Sequence, residues 1–166
     1  MGATLYGARL WQSDGGEPEL RYDALGKTSE VFTQGDVVGL TSGELLVKTT
    51  TIVGVVVKTE TMSATNTTVK KVYPAFIPIY DDQIWLMGTD SDLTDNHTDA
   101  GTYYMITGAT GAQQVAVSDG VATTTLRTVE IVKVDPYNEG GSGAGSGLRK
   151  CLVRILKTPY TNIAAT

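Results

Sequence analysis

Thr51-Ile52-Val53-Gly54-Val55-Val56-Val57-Lys58 is the stretch on which the fold of this chain turns. Its almost unbroken run of β-branched side chains favours extended backbone, because such residues lose χ1 freedom in a helix and pack well on a pleated surface. A strand that is apolar at nearly every position, not at every second one, is covered on both faces, as at the centre of a barrel or sandwich. Gly54, inside the run, marks a bulge or a close backbone approach.

Working outward from this strand, the neighbouring segments read the same way. Phe32 to Leu40 holds strand residues around the turn at Gly35-Asp36, and Thr41-Ser42-Gly43-Glu44 makes a hairpin turn into Leu45-Leu46-Val47-Lys48. Downstream, a polar loop over 61–68 leads into Val69–Ile79. Pro74 and Pro78 there cannot donate to a ladder, so this segment is expected as an edge strand or in pieces. Ile84-Trp85-Leu86-Met87, Thr102–Ile106 and Gln114–Val117 follow as short strands, the last running into the tight-turn signal Ser118-Asp119-Gly120. Thr128–Val134 and Lys150–Leu156 complete the set, and no window keeps a helical period. The expected fold is all-β: a small β-barrel or β-sandwich with an extended N-terminal arm, its domain spanning residues 31–166. The glycine tract over 140–147 reads as a surface loop or tether inside that domain, since too little chain follows it to fold alone.

Residues 1–30 differ. Leu5, Tyr6, Leu10 and Trp11 are apolar and lead into the turn-forming Ser13-Asp14-Gly15-Gly16-Glu17-Pro18. Such a segment cannot build a core of its own. It lies along the domain as an edge strand, or it is an arm whose aromatics dock on another subunit.

Composition limits the function. The chain has 166 residues, enough for one domain that removes roughly 70% of its unfolded surface from water. Its formal net charge is −5, and it has no basic footprint of the kind that neutralises nucleic-acid phosphates. Arg149, Lys150, Arg154 and Lys157 alternate with Leu152 and Ile155 and read as the wet face of a strand. No run is long enough to span a bilayer, and the N-terminus carries no secretory or lipidation signal. Cys151 is the single cysteine, so no internal disulfide forms; its place in Cys151-Leu152-Val153 makes it a small buried hydrophobe.

The residues that could carry chemistry point away from an enzyme. Gly147 is followed by Leu148 and Arg149, not by the lysine and hydroxyl of a phosphate loop, and the dinucleotide fingerprint is missing too. The acidic tract Asp90 to Asp99 offers oxygen ligands for calcium but lacks the mid-loop glycine and terminal glutamate of an EF-hand. His97 is the only histidine, which leaves no base for a triad elsewhere and no partner for a zinc site beyond Cys151. Asp81 and Asp82 are adjacent, so on a strand they would face opposite ways. No catalytic residue, cofactor or metal is therefore expected. Trp11, Trp85, Tyr103 and Tyr104 could form a sugar-stacking platform, and Trp85 with Tyr103 or Tyr104 keeps a carbohydrate-binding surface module as an alternative.

The order of features also resembles a known family. Gly35-Asp36-Val37-Val38, then Ser42-Gly43-Glu44-Leu45-Leu46, then Ile52-Val53-Gly54-Val55, then Val132-Lys133-Val134-Asp135-Pro136 and Cys151 to Lys157 follow the pattern of the small β-barrel decoration, or cement, proteins of tailed-bacteriophage heads. This resemblance of pattern covers roughly residues 30–157. It implies a structural virion protein, made in the host cytoplasm and held on the outer surface of the capsid. Its partner would be the major capsid protein at capsomer junctions, commonly with homo-oligomers, trimers above all, and without nucleic acid or membrane. Leu5, Tyr6, Leu10 and Trp11 are then the expected capsid or subunit contacts. A tail or connector component is a third reading.

Overall fold

The computed structural model describes residues 5–62, 72–93, 100–123, 126–134 and 150–156. His97 and the rest of 94–99, the glycine tract, and Met1 to Thr4 lie outside them.

Fourteen strands run through the described residues. The protein is all-β, with no α-helix among those residues. One sheet holds β1 (Ala8–Ser13), β9 (Gln83–Gly88), β14 (Lys150–Ile155), β13 (Val129–Val134) and β10 (Tyr103–Tyr104), in that order and antiparallel throughout. The second holds β2 (Leu25–Gly26), β5 (Glu44–Val47), β4 (Val37–Thr41), β6 (Ile52–Val56) and β8 (Phe76–Pro78), where only the β2–β5 pair is parallel. Two small ladders accompany them: β3 (Val31–Phe32) with β7 (Glu60–Thr61), and β11 (Ile106–Thr107) with β12 (Gln114–Val115).

Burial follows the two-residue period of a strand. Trp85, Met87, Cys151, Val153, Val129 and Ile131 of the first sheet meet Val37, Ile52, Val55 and Ile77 of the second in the main core. The opposite face of the second sheet is also covered. Val38, Leu45, Val56 and Phe76 pack there with Ala24, Phe32 and Met62, carried by the segments that cross over the sheet. Successive residues Val55 and Val56 thus enter two different cores, which is why the 51–58 run is apolar almost throughout. Each fully buried aliphatic side chain contributes about 1.5–3 kcal/mol.

Two irregularities explain where the sequence pattern is imperfect. Opposite β4, the register passes from Val38↔Gly54 to Gly39↔Ile52, so Val53 is an extra residue on β6. Gly54 also has no room for a side chain: a Cβ there would lie 2.3 Å from the Phe76 ring and 2.7 Å from the Ile77 carbonyl oxygen. In β13, the register skips from Ile131↔Val153 to Lys133↔Leu152. This bulge returns Val134 to the core after Val132 and Lys133, breaking strict alternation. The proline-bearing segment ends in β8 at the margin of the second sheet, where Arg21 and Phe76 exchange backbone hydrogen bonds of 2.9 and 3.1 Å.

Candidate functional site

The N-terminal segment is an edge strand. Among the described residues β1 pairs with β9 alone, from Ala8↔Met87 to Ser13↔Gln83, with a bulge at Trp11. The four residues expected as contacts divide by this geometry. Leu5 is buried with Leu86 and Leu152 on the outer face of the first sheet, and Leu10 packs against the main core. Tyr6 and Trp11 stand out from the surface, 47% and 44% exposed.

β1 is pinned at one end by a buried polar corner. The Gly7 amide donates to the Gln113 carbonyl at 2.9 Å, and the Ala8 amide to the Gly35 carbonyl at 2.7 Å. Gly35 in turn donates to Val56 at 2.8 Å, which ties the corner into the second sheet. Gly7 and Gly35 cross so closely that a Cβ on Gly7 would sit 2.9 Å from the Gly35 carbonyl carbon, and both have positive φ. Beneath the crossing, the Asp36 carboxylate accepts from the Thr33 and Gly111 amides, both at 2.8 Å, and from the Thr110 hydroxyl at 2.6 Å. The Gln113 side chain imitates a strand neighbour, accepting from the Val37 amide at 2.6 Å. Asp36 and Gln113 are both buried and both satisfied, so this corner reads as structural support.

Past Ala8 the two sheets part. β1 and the β6–β8 margin enclose an open cleft of about 440 Å³, with Leu10, Val55, Val57, Ile77 and Trp85 among its walls and Tyr6, Arg9 and Gln34 at its rim. The Ala8 amide points to Gly35 and so away from β9. Alternation along an antiparallel ladder turns the N–H and C=O of Leu10 the same way. Two further groups here lack partners. Trp85 is 1% exposed, and its Nε1–H has no acceptor; an unmet buried donor costs about 1–3 kcal/mol. Arg9 is exposed and makes no ion pair among the described residues.

Other expected sites fare differently. Trp85 and Tyr104 are buried, and the Arg127 guanidinium lies over one face of the Tyr103 ring at 4.2 Å, which leaves Trp11 as the exposed indole of the aromatic set. Asp81 and Asp82 sit in the turn before β9, not on a strand, and Asp82 accepts from the Gly15 amide at 2.9 Å. Of the acidic tract, Asp90 accepts from the amide and hydroxyl of Ser118, and Leu93 is buried. Among the described residues no three His, Cys, Asp or Glu side chains converge as metal ligands would. The thiol of Cys151 is fully buried and donates to the Met87 carbonyl at 3.6 Å. The polar residues that organise the corner, Asp36 and Gln113, were not singled out from the sequence. Asp36 sits in an ordinary turn signal, and its partners Thr110 and Gly111 arrive from far along the chain.

Comparison with protein-family models, with curated proteins and with solved structures returned no match.

Proposed function

We propose that this chain is a structural virion protein that binds the outer surface of a tailed-phage capsid at capsomer junctions and stabilises the shell. The observation that carries the reading is the edge strand β1, which has one ladder neighbour among the described residues, carries the exposed Trp11 and follows the exposed Tyr6, beside an open cleft. Open edges invite pairing with another chain, and exposed aromatics supply most of the binding energy at many interfaces. The resemblance over residues 30–157 supports the same reading. The major capsid protein is the proposed partner, and a homo-oligomer, a trimer by preference, would convert several modest contacts into avidity.

The test mixes purified protein with expanded, undecorated shells of the matching phage, followed by sedimentation and imaging. Stoichiometric binding at regular outer positions is expected. Trp11→Ala is expected to weaken it by about 2 kcal/mol, while stability stays within about 0.5 kcal/mol because the side chain is at the surface. Absence of binding to intact shells would overturn the reading. Open rings or tubes in solution would then point to a tail or connector role, and saturable glycan binding to a carbohydrate module.

A further inference from the structure

We infer that the cleft between β1 and the β6–β8 margin is a receptor for an extended segment of another protein, one carrying a carboxylate next to an apolar side chain. The inference rests on the docking role proposed for β1 and specifies the chemistry that β1 recognises. Two features converge on one place, and Trp85 lies beside them as a reporter. The backbone of Leu10 turns outward from the β1–β9 ladder, so an incoming strand finds a main-chain donor and acceptor there. Leu10, Val57 and Ile77 give that strand an apolar wall for alternate side chains. Trp85, nearly fully buried in the same wall, holds an indole N–H with no acceptor.

Charge selects among possible segments. Among the described residues Arg9 lines the rim unpaired and no acidic side chain lines the cleft, although the chain as a whole carries −5. The site is a local positive point on an acidic molecule. A carboxylate fits it by pairing with the Arg9 guanidinium, while its apolar neighbour packs on Leu10, Val57 and Ile77. A basic segment would meet Arg9 directly.

The experiment uses the whole chain labelled with ¹⁵N and two blocked peptides, threonine-valine-glutamate-valine-threonine and its lysine counterpart, followed by NMR. The two indole N–H signals are separated by the one that vanishes in Trp11→Phe. With the glutamate peptide at about 1 mM, the Trp85 N–H signal is expected to shift and saturate because Trp85 lines the cleft, with Leu10 and Val57 amides shifting alongside. The lysine peptide is expected to bind about tenfold more weakly or worse, and Arg9→Glu to reverse that order. Arg9 is exposed, so the spectrum of the variant reports directly that the fold is kept. No movement of the Trp85 signal, equal responses to both peptides, or shifts confined to Trp11 would overturn the inference. Self-association that shifts the Trp85 signal without peptide would overturn it as well, naming a second copy as occupant. Shells are absent from this experiment. Shell binding without peptide selectivity would therefore reject the cleft assignment alone, and peptide selectivity without shell binding would reject the capsid reading alone.

Discussion

The carboxylate of Asp36 receives two backbone amides and a hydroxyl inside the corner that ties β1 to the second sheet. Asp36→Ala strands the Thr33 and Gly111 amides where water cannot reach them easily, and it is expected to cost about 3 kcal/mol. Asp36→Asn keeps the shape and one acceptor oxygen, so a smaller loss is expected. Urea unfolding midpoints of the two variants check the order. The sequence marks Gly35-Asp36 as a turn, which is correct, yet nothing local to it announces the corner. The partners of Asp36 and Val37 come from Thr110, Gly111 and Gln113, and a single sequence carries no signal linking residues that far apart. Gly54 is the opposite case. Its place inside a β-branched run announces a bulge or a close approach, and both are present there.

At the level of elements, β1 shows how far hydrophobic pattern reaches. Leu5, Tyr6, Leu10 and Trp11 are visibly apolar in the sequence, but their division into buried and exposed depends on β9 and on the bulge at Trp11. Deleting residues 1–12 does not simply remove a free arm. It takes away one of the two ladder neighbours of β9 and withdraws Leu5, Ala8 and Leu10 from their contacts. The truncated chain is expected to lose cooperative unfolding and to aggregate through the bared β9 edge; thermal melts followed by circular dichroism and size-exclusion chromatography check this. Strands rich in β-branched residues, such as β6, β13 and β14, were legible because composition and burial agree in them. β13 looked irregular only because its bulge shifts the inward set by one residue.

For the molecule as a whole, the all-β class was legible from turn signals and strand runs, whereas the order of strands was not. Cys151 reports on the integrity of the complete core, since β14 lies between β9 and β13. Under native conditions its thiol is expected to react with an aromatic disulfide reagent about a thousandfold more slowly than in strong denaturant, or slower still. Rapid native labelling would show that the first sheet opens locally. The same position of β14 has a consequence for synthesis on the ribosome. β4, β5 and β6 follow one another in the chain and can pair as soon as they emerge. β9 must wait for Lys150 to Ile155 before its second neighbour exists, and β13 waits with it. The nascent chain therefore carries one finished sheet and one unfinished one until Lys150 to Ile155 have emerged, with β9 paired on one side at most. Non-local pairing of this kind is slow and exposed to wrong partners. That interval is when a chaperone matters most.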